Sequence, residues 1–155
     1  MHFLKRAALF SVFLMLVLSL SACSSRTAVT EDAFTAAMDK LGFTDQTPED
    51  GSASSAGVVT MRLYSSPTDG GAVYYVYEDS VTAHQSYADI VSSISQQGKK
   101  VKQVDSATYN FAQFESSSGG TYCAIRTDST LLYLADSTET VKELLTELGY
   151  CEPFF

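Results

Sequence analysis

Residues 108–115 (TYNFAQFE), 121–127 (TYCAIRT) and 130–135 (TLLYLA) follow one another with only Ser116 to Gly120 and the pair Asp128-Ser129 between them. Runs rich in aromatic and β-branched residues, bounded by turn formers, are strands. Connections this short cannot hold a crossover helix, so the three strands pair antiparallel as a meander. Immediately after them, Asp136 and Glu139 have capping-box spacing, and Val141, Leu144, Leu145 and Leu148 recur at helical period before Gly149. That pattern predicts a helix over 138–148.

Upstream of the meander, Asp79 or Ser80 can cap a stripe of Ala83, Tyr87, Ile90, Val91 and Ile94 that ends at Gly98, which predicts a helix over 81–97. Lys99, Lys100 and Lys102 then read as a basic cluster at the negative end of that helix. Val59, Met61 and Leu63 alternate with Thr60, Arg62 and Tyr64, the period of a half-buried strand, and the turn Ser66 to Gly71 feeds a second run from Ala72 to Glu78. This is a hairpin. Thr30, followed by Glu31 and Asp32, caps a helix over 30–41 whose stripe is Phe34, Ala37, Met38 and Leu41. Residues 45–57 are turn formers without an apolar period, and read as a loop.

The elements therefore run α-ββ-α-βββ-α. They predict an α+β domain: an antiparallel sheet of about five strands, covered on one face by three helices. The expected core is Phe34, Met38, Leu41, Val59, Met61, Leu63, Tyr87, Ile90, Ile94, Phe111, Ile125, Leu132, Leu144, Leu145 and Leu148. A chain of 155 residues that is 45% hydrophobic supports one such core. Its formal charge of −8 argues against a nucleic-acid partner, which would require clustered basic charge.

The N-terminal segment has a different character. Lys5 and Arg6 precede an apolar run from Ala7 to Leu20, the charged and hydrophobic regions of an export signal. At about 1.5 Å per residue the run is too short to span a hydrocarbon core of roughly 30 Å comfortably. Leu20, Ser21, Ala22 and Cys23 follow it directly. This resembles the lipobox of bacterial lipoproteins, an aliphatic and two small residues before an obligatory cysteine. The resemblance implies diacylglyceryl transfer to the Cys23 sulfur and cleavage just before it. Residues 1–22 are then a removed signal peptide, 23–29 the lipidated cysteine and a tether, and 30–155 a single domain. Loss of Lys5 and Arg6 with the leader takes the net charge from −8 to −10. The element order and the segment Tyr122 to Leu134 also resemble small lipoproteins of gut-type Gram-positive bacteria, over about half of the mature chain. That resemblance transfers no functional residues.

After cleavage His84 is the remaining histidine, and its place beside Ala83 reads as a structural residue at the rim of a helix stripe. Envelope hydrolase chemistry would draw on it, since general-base catalysis near neutral pH usually calls on an imidazole. One histidine with Cys123 and Cys151 lacks paired zinc-ligand spacing. The loop from Asp45 offers oxygens at Thr47, Glu49 and Asp50, but an EF-hand would place Gly and Glu where Asp50 and Ala56 stand. No catalytic, cofactor or metal site is expected.

Two features remain. With Cys23 lipidated in an extracytoplasmic compartment, Cys123 and Cys151 are left either as one disulfide or as two separate thiols. Tyr64, Tyr74, Tyr75 and Tyr77 crowd the first hairpin, and tyrosines with one packed side and a wet hydroxyl suit a binding surface. The reading is a non-enzymatic lipoprotein held on the outer side of the cell membrane, which binds or assembles with an envelope protein or a small ligand. Its rivals are an envelope enzyme and a structural accessory of a larger complex.

Overall fold

In the computed structural model, which describes residues 27–49 and 57–150, the meander is part of a seven-stranded antiparallel sheet. Along the chain come α1 (Glu31–Lys40), β1 (Thr44–Asp45), β2 (Val58–Ser65), β3 (Gly71–Tyr77), α2 (Ser80–Ser95), β4 (Gly98–Asp105), β5 (Tyr109–Ser116), β6 (Gly120–Thr127), β7 (Thr130–Ser137) and α3 (Thr138–Glu147). In space the strands lie in the order β1-β2-β3-β7-β6-β5-β4, so the hairpin joins the meander through β3 and β7. The α+β class holds, with seven strands where about five were expected.

The two additional strands lie where the residues disguise them. β1 is two residues long, too short to show a period. β4 takes the lysine-rich segment, because α2 stops at Ser95 and Lys99, Lys100 and Lys102 pair with Glu115, Phe114 and Gln113 of β5. The lysines are strand residues, not helix-end charges. A register shift between Lys100 and Lys102 marks a bulge in β4, with Val101 49% exposed. Lysine forms strands poorly, but charges and bulges are common on edges, where they block pairing with other chains.

Helices cover both faces of the sheet, where one covered face was expected. On the first face Phe34, Ala37 and Met38 of α1 and Val141, Leu144 and Leu145 of α3 pack with Tyr64, Ala72, Tyr74, Phe111, Cys123, Ile125, Leu132 and Leu134. On the second, Ala83, Tyr87 and Ile94 of α2 pack with Tyr77, Ala112, Phe114, Ala124 and Leu131. Neighbouring residues of a strand point to opposite faces, so strands buried on both sides read as unbroken apolar runs that do not report the number of helical layers.

The face of β2 also differs from expectation. A register shift between Val58 and Thr60 resets the alternation, leaving Val59 63% exposed. Beyond the shift Arg62 reaches Glu31 of α1, with Nε donating to Oε1 at 2.7 Å, and Tyr64 is buried under Phe34. Met61 and Leu63 are only half-buried, as are Leu41, Ile90 and Leu148. The other expected core residues are buried.

The caps are local chemistry. Thr30 Oγ1 accepts from the Ala33 N–H at 3.2 Å, and Asp79 Oδ1 accepts from Val81 and Thr82 N–H, both at 2.8 Å. Hydrogen bonds from the Thr82 backbone and hydroxyl hold the Asp79 carboxyl below its ordinary range. α3 is capped by Ser137, whose Oγ accepts from Thr140 N–H at 3.2 Å. Asp136, expected in that role, stands one residue early. Its Oδ1 instead accepts from Thr68 Oγ1 at 2.7 Å and from Ser137 N–H at 2.6 Å, which ties the β2–β3 turn to the end of β7.

That clamp leaves no room beside it. A Cβ on Gly70 would clash with Asp136 Oδ2 and with the Ala135 carbonyl oxygen. Gly70→Ala is therefore expected to push the turn off the sheet end and cost about 1–3 kcal/mol. Urea denaturation checks this, and an unchanged midpoint would mean that the turn does not lie against β7.

Candidate functional site: an uncovered corner of the sheet

The two faces are closed unequally. α1 and α3 share the first face, whereas α2 has the second to itself and seals it over Tyr77, Leu131, Ala124, Ala112 and Phe114. Leu63, Val73, Tyr75, Tyr122, Tyr133 and Ala135 point to the same face and are half-buried, with Tyr75, Tyr122 and Tyr133 packed against the margin of the α2 cluster.

Strand register lines up three of these as a stripe. Tyr122 of β6 stands opposite Ala135 of β7, two residues from Tyr133. Tyr133 stands opposite Val73 of β3, two residues from Tyr75. Each step is a diagonal neighbour on one face, about 7–8 Å apart. The stripe therefore runs Tyr122, Tyr133, Tyr75 across three adjacent strands. Burial raises the Tyr133 phenol pKa, with Tyr122 adding to it, and burial with Tyr77 beside it does the same for Tyr75. Both stay protonated at neutral pH and offer O–H donors along an apolar strip.

Two hollows meet at this corner. One, of about 310 Å³, is walled by apolar groups of Leu63, Gly71, Val73, Tyr133 and Ala135. The other, of about 380 Å³, opens between the β2–β3 turn, the β5–β6 turn and the start of α3, with Thr68, Ser118, Ser137, Tyr122, Asp69 and Asp136 in its wall. They share Asp69, Gly70 and Ala135, so an apolar trough passes into a polar cleft. No lysine or arginine lines either hollow, and their ionisable acids are Asp69 and Asp136. Asp69 is exposed at the tip of its turn with φ 64°, a left-handed conformation that aspartate tolerates. Asp136 Oδ2 is buried without a partner against Gly70.

The four tyrosines singled out in the sequence do not form one surface. Tyr64 and Tyr74 are buried on the first face, with rings 5.7 and 5.2 Å from Phe34, and the Tyr74 hydroxyl donates to the Val29 carbonyl at 3.2 Å. Tyr77 is buried in the cluster under α2, and its ring lies 5.9 Å from that of Tyr75. Only Tyr75 reaches the corner. The crowding was one of sequence, and alternation sends neighbours to opposite faces. Tyr122 and Tyr133 were missed because the β3–β7 pairing that aligns them with Tyr75 leaves no local mark.

The remaining candidates are dispersed. His84 is exposed on α2 with its ring stacked 6.5 Å from that of Tyr87, not half-buried at a rim. Cys123 is a fully buried free thiol in the first-face core, and burial drives its pKa upward. The proposed bridge partner Cys151 lies outside the described residues, as do Cys23, the signal peptide 1–22 and the loop positions Asp50 and Ala56. Asp45 Oδ1 accepts from Thr47 N–H at 2.7 Å in a local turn, and hydrogen bonds from the Thr47 hydroxyl and backbone hold its carboxyl below the ordinary range. Among the described residues no three His, Cys, Asp or Glu side chains converge as metal ligands, and no helix is long and apolar enough to cross a membrane.

No protein-family model matches the chain, and no curated protein matches it. Among solved structures it is similar to a crystal structure of a GTP binding regulator from Thermotoga maritima, with a TM-score of 0.48 and 11% identity over 77% of this chain and 84% of that one. A likeness at that level carries no argument about function.

Proposed function

We propose that the chain is a lipoprotein anchored through Cys23 on the extracytoplasmic face of the cell membrane, where it binds a ligand or an envelope partner through the uncovered corner. The observation that carries the binding half is the unequal closure of the sheet: among the described residues α2 covers only part of the second face and leaves a half-buried, largely apolar area bearing Tyr75, Tyr122 and Tyr133 beside two hollows. The anchoring half rests on the Leu20 to Cys23 signature behind its basic and apolar regions.

The fold is compatible with a short tether. Val29 is already buried and its carbonyl is held by Tyr74, so the folded body begins six residue steps after Cys23. At about 3.3 Å per residue the body stands no more than about 20 Å from the bilayer. One acyl chain binds a membrane marginally and two hold it stably, so a diacylglyceryl group on Cys23 suffices. An envelope hydrolase fits less well, because His84 lines neither hollow.

The test is metabolic labelling with a fatty-acid probe in a bacterial host. The wild-type chain is expected to label and sediment with membranes, and Cys23→Ala to do neither. Undiminished labelling of Cys23→Ala would overturn the anchor.

A further inference from the structure

We infer that the stripe Tyr122–Tyr133–Tyr75, with the polar cleft at its Tyr122 end, is a binding site for a neutral saccharide chain. The inference rests on the reading of the corner as a binding surface and names what it binds. A pyranose ring has one face of C–H groups and an edge of hydroxyls. It therefore needs a flat, apolar and preferably aromatic support beside a set of hydrogen-bonding groups.

The corner supplies both, in that order. The tyrosines lie on one diagonal of one face, flanked by Leu63 and Val73, so the support is elongated. Two steps of about 7–8 Å exceed a single sugar ring and call for a chain. At its Tyr122 end the stripe opens into the cleft of Thr68, Asp69, Ser118 and Ser137, all exposed and all able to accept from sugar hydroxyls.

Charge narrows the occupant further. The acids in the walls are Asp69 and Asp136 with no cation beside them, and the mature chain carries a net charge of −10 once Lys5 and Arg6 leave with the signal peptide. An anionic polymer is repelled, and so is a second copy of this chain. An apolar peptide fits poorly on a strip interrupted by three phenol hydroxyls, each of which would need a partner once covered.

The chain contains no tryptophan, so any stacking falls to tyrosine alone, and the emission sums nine tyrosines of which three lie in the stripe, so the variants below assign the change. The experiment titrates the detergent-solubilised full chain with cellotetraose, N-acetylchitotetraose and maltotetraose, and with tetragalacturonic acid as the anionic counterpart. At least one neutral tetrasaccharide is expected to give a saturable change. Tyr133→Leu and Tyr75→Leu should weaken it at least tenfold while the thermal melt is kept, and Tyr133→Phe should hold affinity within about threefold because the ring remains. The tetragalacturonate should not bind.

The inference is overturned if no neutral probe saturates up to about 10 mM, well beyond the roughly 1 mM of a weak specific site. It is equally overturned if Tyr133→Leu binds as wild type, or if the chain forms a dimer that Tyr133→Leu dissolves. Cross-linking in cells separates this failure from failure of the broader reading: a protein partner lost in Tyr133→Leu would keep the corner as a binding surface and remove the saccharide. Anchoring is read independently at Cys23.

Discussion

Arg126→Ala is expected to destabilise the domain by about 3–5 kcal/mol, enough to unfold a protein of ordinary stability, about 5–15 kcal/mol, at moderate temperature. Arg126 is 1% exposed, the largest of the fully buried side chains, and among the described residues it has no carboxylate within ion-pairing distance. Its guanidinium is held by neutral acceptors: Nε donates to Asn110 Oδ1 at 2.6 Å, one terminal nitrogen to the Asp128 carbonyl at 2.8 Å, and the other to the Ala107 carbonyl at 2.9 Å. Those carbonyls belong to the β6–β7 and β4–β5 turns, so one side chain pins two connections. Asn110 carries the network onward, donating from Nδ2 to Asp105 Oδ1 at 3.1 Å.

Removing the guanidinium strands the buried Asn110 Oδ1 and two part-buried turn carbonyls, roughly 1–3 kcal/mol for each acceptor that water does not reach, and leaves a cavity. Relief of the buried charge offsets part of this. Lysine keeps the charge but lacks the planar fork, so Arg126→Lys is expected to recover less than half of the loss. Urea midpoints measure both. A loss below about 1 kcal/mol in Arg126→Ala would show that the two turns close without it.

Phe34→Ala is expected to cost a similar amount, about 3–5 kcal/mol, by a different mechanism. Phe34 is fully buried at the centre of the first face, edge-on to Tyr64 with ring centroids 5.7 Å apart and stacked on Tyr74 at 5.2 Å. The truncation leaves a cavity between α1 and the hairpin, and forfeits two aromatic contacts worth about 0.5–1.5 kcal/mol each beyond their buried area. Hydrogen exchange gives the more specific readout. Protection should fall in α1, β2 and β3 before β5 and β6. A uniform loss would mean that the hairpin and meander unfold as one unit.

These two sites show what the residues disclosed before the fold was known. The helices were legible because Phe34, Ala37 and Met38, or Val141, Leu144 and Leu145, repeat at 3.6 residues and each has an identifiable cap. The meander was legible because its turns are short. β4 was not, because Lys99, Lys100 and Lys102 argue against a strand on propensity and make sense only once the segment is seen to be a sheet edge.

Val59 was misplaced because a register shift after Val58 takes it out of the alternation that Met61 and Leu63 keep, and those two are only half-buried because their side of β2 is the partly covered one. The corner itself was half legible. Tyrosine abundance pointed to the hairpin, yet the stripe depends on β3 lying beside β7, a contact between residues about sixty positions apart with no local signature. Nothing in the sequence around Arg126 says that Ala107 and Asp128 will offer it carbonyls.

We propose that lipid on Cys23 carries this fold to the membrane surface, and intact-mass spectrometry of the chain purified from bacterial membranes would read that lipid as added mass. The expected result is a single species that begins at Cys23 and is heavier than residues 23–155 by at least a diacylglyceryl group, with the added mass released on a peptide containing Cys23. A full-length chain of 155 residues, or one beginning at Cys23 with no added mass, would contradict it.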